Sequence, residues 1–338
     1  MYTRRNIRWN MIFQMAWQKI VVFAAWSSAV TFAYLQFASI GLDISIPLAP
    51  LGTIGVAVAF YVGFKNNQAY ERYWEARKIW GGIVNTSRSF ANQVLAFISA
   101  HHCPDPVEPA VIKGVQQRMI YRHLAWMHSL RYQLRRKTLW GFTPKGGAAR
   151  FSQTTDIEAL RKQVSDLLPN EELKVVCPQA NAATQILRMQ SDDLRRIVDE
   201  QKLTEDFRLI ALMEQITEMY ALQGKCERIK NTPFPRQYAY FSGVFVWIFI
   251  AMLPFAIVPE FAQRSSLMIW LTVPLSVVIS WIFYTMEAVG DSSEDPFENF
   301  VNDVPLTALC RTIEIDLRQM MGETDVPEPI KPEYDILM

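Results

Sequence analysis

No lysine, arginine, aspartate or glutamate occurs in four long stretches of this chain: residues 20–42, 46–64, 238–259 and 267–286. Charge of one sign is lacking as well. Thirty-four Lys and Arg against 33 Asp and Glu leave a formal net charge of +1, which excludes the strongly basic footprint of a nucleic-acid binder. Cysteine is scarce: Cys103, Cys177, Cys226 and Cys310 stand apart without CxxC spacing, so neither a disulfide framework nor a zinc knuckle is expected. Reduced thiols in a cytoplasmic compartment are the expectation. No GxSxG, HExxH or P-loop pattern occurs, and no enzyme chemistry is anchored. His101, His102 and Cys103 are adjacent and followed by proline, while His123 and His128 are five apart. Neither group makes a helical pair of ligands, and no metal site is expected.

What is present is apolar material in quantity. Half of the 338 residues are hydrophobic and 20% are charged, a composition of two materials joined in one chain. Each uncharged stretch is about 20 residues long, which at about 1.5 Å per helical residue spans a hydrocarbon core of about 30 Å. Four membrane helices in two pairs are therefore expected. No small-residue cleavage site follows the first run, so it does not read as a signal peptide.

Basic residues set the orientation. Arg4, Arg5, Arg8 and Lys19 precede the first span; Lys65, Arg72, Arg77 and Lys78 follow the second; Lys225, Arg228, Lys230 and Arg236 precede the third. The short loops within the pairs carry only Asp43, or Glu260 with Arg264. Both termini and the middle segment are expected in the cytoplasm, as in a multi-pass protein of a bacterial inner membrane. The expected organisation is an N-terminus with spans one and two over 1–64, a cytosolic helical domain over 65–235, and spans three and four over 236–288. An acidic segment, a helix and an extended Pro-rich tail follow over 289–338.

In the middle segment, Phe207, Ile210, Met213, Ile216 and Leu222 recur at helical spacing among charges, predicting an amphipathic helix that packs on its neighbours. Strand signals are weak. The stretches "HHCPDPVEPA" (101–110) and "GFTPKGGAARFSQTTD" (141–156) carry loop residues. The second span runs into "KNNQAYERYWEARKIW" without a Gly or Pro to stop it, predicting one continuous rod from lipid into water. Along it Val56, Phe60 and Phe64 stand four residues apart and share a face. Gly55, Ala59 and Gly63 form a small-residue stripe behind them, suited to close helix approach. The bulky stripe fills a helix core, faces lipid, or rings an axis where several subunits meet; spacing alone does not choose. Further along, Tyr73, Trp74 and Trp80 are expected to pack on neighbouring helices. Glu71, Arg72, Glu75 and Arg77 are expected to form pairs along the helix and between subunits.

Three motifs carry a resemblance. "NNQAYERYWEARKIWG" (66–81), "TPFPRQYAYFSG" (232–243) and "EDPFENFVNDVPL" (294–306) occur in the order and setting of the bacterial bestrophins. The resemblance covers nearly all the chain except about 100–180. It implies a homopentameric all-helical barrel around one central pore that conducts small ions, in contact with membrane lipid. It places the pore neck at Val56, Phe60 and Phe64, and a second, cytosolic aperture at Ile210, with Leu209 and Met213 as neighbouring alternatives. In animal bestrophins, which this resemblance brings in, calcium is bound by the acidic run directly after the Asn-Pro-Phe element within the third motif, together with backbone oxygens near the amino terminus. Here Asp295, Glu298 and Asp303 remain, but Phe300 and Val301 occupy the centre of the run. Calcium takes six to eight oxygens, so the run reads as a solvated, helix-capping loop in which Asp295 and Asp303 are the candidate ion contacts, and no cofactor is expected.

The family includes anion and cation conductors. Phenyl edges are electropositive, and two phenylalanines in the neck favour a chloride-like anion. A sodium or potassium channel of the same architecture, and a membrane scaffold without ion flux, are the alternatives. A coupled transporter would keep an ionisable residue at mid-membrane, and these spans have none.

Overall fold

The computed structural model describes residues 1–6, 8–137, 157–264 and 267–338. The expected loop over 141–156 lies outside them. Ten α-helices are described: α1 (Trp9–Ser39), α2 (Leu48–Phe97), α3 (Pro109–Leu134), α4 (Ile157–Val164), α5 (Asn170–Val176), α6 (Ala182–Asp199), α7 (Asp206–Asn231), α8 (Arg236–Ala262), α9 (Thr272–Asp291) and α10 (Leu306–Met320). Among the described residues there is no strand, only isolated bridges at Tyr2, Glu333 and Ile336. The expected extended tail is not free: Thr3 donates its N–H to the Asp335 carbonyl at 2.9 Å, and Ile336 is buried.

The chain forms two compact units. One comprises Arg4–Arg72 and Phe234–Glu294; the other comprises Met1–Thr3, Tyr73–Pro233 and Asp295–Met338. The division falls inside α2 at Arg72, beyond the change from apolar to charged sequence at Lys65. The reason is local: Lys65 is buried within the first unit by carboxylates from the end of α9 and the residues just after it.

In the first unit, four helical segments are long and apolar enough to cross a membrane: Ala16–Ser39, α2, α8 and Met268–Asp291. Phe23, Leu51, Val58, Val62, Val246 and Phe249 begin its core. Gly55 is required there, because a Cβ would come within 2.8 Å of the Phe249 ring, whereas one on Gly63 would meet nothing within 4 Å. One end of the small-residue stripe thus seats α8, and the other is unused within the chain. Trp26 donates its indole N–H to the Ala251 carbonyl of α8 at 3.1 Å.

The second unit is built on α3, which is buried nearly all round by Met119, Ile120, Leu124, Trp126, Met127 and Leu130. Trp126 donates to Gln223 of α7 at 2.9 Å. Arg122 is held between Glu172 and Asp193 at 2.5 and 2.7 Å. Of the expected packing residues of α7, Ile216 and Leu222 are buried and Met213 lies against the core. Phe207 and Ile210 are exposed; the buried face instead runs through Leu212, Ile216, Met219, Gln223 and Cys226. Trp80 and Tyr73 pack as expected while Trp74 is exposed. Glu75 pairs with Arg228 at 2.5 Å instead of along its own helix, and Glu71 accepts from Asn67 at 3.0 Å.

His123 is enclosed by the rings of Phe90 and Trp126, with centroids 5.3 and 5.2 Å away. Burial lowers its pKa from 6.5 to about 3. The unfolded chain therefore binds a proton below about pH 6.5 that the folded chain refuses, and stability falls as pH drops through that window. At pH 4.5 the deficit is about 2–3 kcal/mol from this ring alone. His123→Phe is expected to flatten the acid limb of the thermal-unfolding midpoint in detergent, and an unaltered acid limb would contradict this account.

Candidate functional site

Val56, Phe60 and Phe64 lie on one line of α2 and are 72%, 68% and 50% exposed. The opposite line of the same helix, through Leu51, Gly55, Val58, Val62 and Lys65, is buried. The bulky stripe therefore points away from the chain's own bundle. The Phe60 and Phe64 rings meet at right angles, centroids 4.5 Å apart and planes at 86°, so that one presents its edge to the other's face. Below them the exposed line continues through Asn67 and Glu71.

Behind Phe64 sits a polar anchor that sequence reasoning missed. The Lys65 ammonium, with no exposed side-chain surface, lies 2.7 Å from Glu287 Oε1 and 3.7 Å from Glu294 Oε1, and also bonds Asp291. Ser242 donates to the second Glu287 oxygen at 2.6 Å, and Asn66 donates to the Met286 carbonyl at 2.9 Å. This ties α2 to α8 and α9 directly behind the exposed phenyl groups. An apolar span ending in lysine reads in sequence as an ordinary interfacial anchor, and its acidic partners are more than 200 residues away.

In the second unit, Ile210 is 57% exposed, whereas Leu209 and Met213 lie against the core. Of the three candidates, Ile210 is the one whose side chain is exposed.

The acidic segment differs from a solvated loop. Asp303 is buried and accepts the Phe300 N–H at 3.0 Å; burial pushes its pKa up to about 8, against the opposing pull of that bond and of Arg135. Glu298 is bound by Lys230 at 2.5 Å, and Asp295 is half-buried. Burial overrides the polar sequence because Lys230 and Arg135, both remote in sequence, fold against the segment. Of the segment's four carboxyl groups, Glu294 faces Lys65, Glu298 is bound by Lys230, Asp303 accepts the Phe300 N–H and Asp295 is half-buried. Among the described residues no three His, Cys, Asp or Glu converge as metal ligands.

A family model described as bacterial/fungal bestrophin protein matches residues 6–319. The chain belongs to the bestrophin family. This bestrophin is 31% identical over 292 residues to an Escherichia coli protein named voltage-dependent anion channel-forming protein YneE, covering 86% of this chain and 83% of that one. It is 30% identical over 299 residues to the Mesorhizobium japonicum voltage-dependent anion channel-forming protein mll4386, covering 88% and 82%. A solved bacterial bestrophin homologue from Klebsiella pneumoniae matches with a TM-score of 0.72 at 25% identity, over 90% of this chain and 97% of that one. A crystal structure of a membrane protein at 24% identity shares the fold, with a TM-score of 0.75 over 92% and 100%.

Proposed function

We propose that this bestrophin is a passive anion channel in a bacterial inner membrane, formed by five copies around one axis, with both termini in the cytoplasm. The carrying observation is the stripe of Val56, Phe60 and Phe64: three large apolar side chains are exposed on the helix whose opposite face is buried. Relatives named as voltage-dependent anion channel-forming proteins support the channel reading, and the assignment of the neck to this stripe is part of the proposal. Repeated around an axis, it makes a hydrophobic neck, and Ile210 makes a second narrowing on the cytosolic side.

No side chain in the stripe carries a fixed charge. Selectivity comes from neck radius, the ease of partial dehydration, and the electropositive edges of the phenyl rings. A right-angled pair such as Phe60 and Phe64 keeps its rings out of a common stack, which leaves ring hydrogens available to a passing anion. Chloride is the expected physiological size class. The commitments of Asp303 and Glu298 support gating independent of calcium.

Purified protein in liposomes under a potassium chloride gradient tests the reading. The reversal potential is expected to approach the chloride equilibrium potential. A potential near that of potassium would make it a cation channel, and no current from well-assembled protein would leave a scaffold. Native mass in mild detergent should equal five chains; a monomer or dimer there contradicts the shared neck.

A further inference from the structure

The second unit holds a cavity of about 510 Å³ between α3, α10 and the region around the end of α4. This volume is in the range of small-molecule sites, and its walls are basic. Arg131 comes from α3, Arg311 and Arg318 come from α10. Glu314, one turn from both α10 arginines, is the carboxylate they share: its oxygens lie 3.2 Å from Arg311 Nε and 3.5 Å from Arg318 Nη1. Arg318 has a second counter-charge, Glu323, at 2.6 Å. Arg131 is differently placed, since its Nη2 donates at 2.6 Å to the neutral Gln163 amide oxygen. Arg311 turns its Nη1 to the Glu328 carbonyl at 3.1 Å. Asp166 lies at the edge and is exposed.

The wall also contains uncharged hydrogen-bonding groups. His128 is nearly enclosed and its Nδ1 has no hydrogen-bond partner. Burial, with Arg131 and Arg311 close by, lowers its pKa to about 3, so at neutral pH it is an imidazole with one N–H to donate. Thr307 lies in the first turn of α10. Pro305, which precedes that helix, provides no side-chain cap. Arg131 is buried, Arg311 and Arg318 are partly exposed, and the three guanidinium groups around one polar cavity offer forked donors to a tetrahedral oxyanion in competition with Glu314. Forked donors arrive from two helices, and a hydroxyl and an imidazole complete the set.

We propose that this cavity binds a small ligand through a phosphoryl group, with Arg131 and Arg311 as the charged contacts and Thr307 and His128 as hydrogen-bond partners. A bare halide would use the charge and leave most of the volume empty. A carboxylate would use the forks and not the third direction of donors. Glu314 occupies the centre as an internal competitor that the ligand displaces from Arg311. The site belongs to the second unit alone and does not depend on the chain conducting anions.

The test uses the full chain in detergent with inorganic phosphate as the probe, read by equilibrium dialysis and by the thermal-unfolding midpoint. Saturable binding is expected, absent with equal concentrations of chloride. Arg131→Gln and Arg311→Gln should each weaken it by about tenfold or more, the usual loss of a charge-assisted contact. Glu314→Gln should tighten it, because the competing carboxylate is gone while shape is kept. That variant guards against misfolding of the arginine substitutions: a folded E314Q protein with unchanged phosphate affinity overturns the assignment. So does the absence of saturable phosphate binding by the unaltered protein. Succinate binding at least as tightly as phosphate would overturn the phosphoryl assignment in favour of a carboxylate ligand.

Discussion

Phe60→Ala, present in every copy of the chain, is expected to raise conductance and to move the reversal potential away from the chloride value. Phe60 is 68% exposed, and its ring partner among the described residues is Phe64, itself 50% exposed. Removing the phenyl group therefore opens no cavity in the chain's own core. The stability cost within one chain is limited to a ring pair worth about 0.5–1.5 kcal/mol. In the proposed pentamer the same change would delete a whole layer of rings, widening and wetting the passage and removing the edges that favour anions. Phe249→Ala is the control from the neighbouring helix. That ring is buried against Gly55, so its truncation should cost about 3–5 kcal/mol and leave selectivity unchanged. Phe60→Ala protein that assembles normally and conducts with unaltered current and selectivity would take Phe60 out of the pore. Val56 and Phe64 would follow, since one helical line carries all three.

The contrast between these two phenylalanines also marks what sequence reveals. Absence of charge is a property of single stretches, so the four spans and the unbroken run of α2 were legible from composition and the lack of a stop signal. Which face of a helix is buried depends on partners that sequence does not display. Phe60 and Phe249 are alike as letters, and only the seating of α8 on Gly55 separates them. The same limit explains α7. Its apolar residues recur at helical spacing, yet Phe207 and Ile210 fall outside the buried face because Gln223 and Cys226 help form it. Charged residues were misread for a related reason. Asp303 and Glu298 stand in a polar stretch and read as solvated, but burial follows the approach of Lys230 and Arg135. Family resemblance supplied the stripe's expected role, and the fold adds that the stripe points outward.

Lys65→Met is expected to destabilise the first unit by about 3–5 kcal/mol, because breaking a buried ion pair from one side strands the remaining charges. The side chains of Glu287 and Glu294 are 9% and 8% exposed, and neither has enough water to solvate its charge once the ammonium is gone. Ser242 still donates to Glu287, and Arg236 stands 4.0 Å from Glu294, which softens the loss without replacing a cation bonded to Glu287 and Asp291. Removing charge from both sides should be milder: Lys65→Met with Glu287→Gln is expected to recover part of the loss, since fewer carboxylates are left unpaired. Lys65→Arg retains the charge but must fit a planar fork into a space filled by a compact ammonium, so it should fall between the two. Because Lys65 follows Phe64 directly, loosening this anchor should also broaden the spread of single-channel conductances before the protein unfolds. Thermal unfolding of the four proteins in one detergent decides the matter. A Lys65→Met midpoint equal to that of the unaltered protein would mean that water reaches these carboxylates and that no ion pair holds α2 to α9.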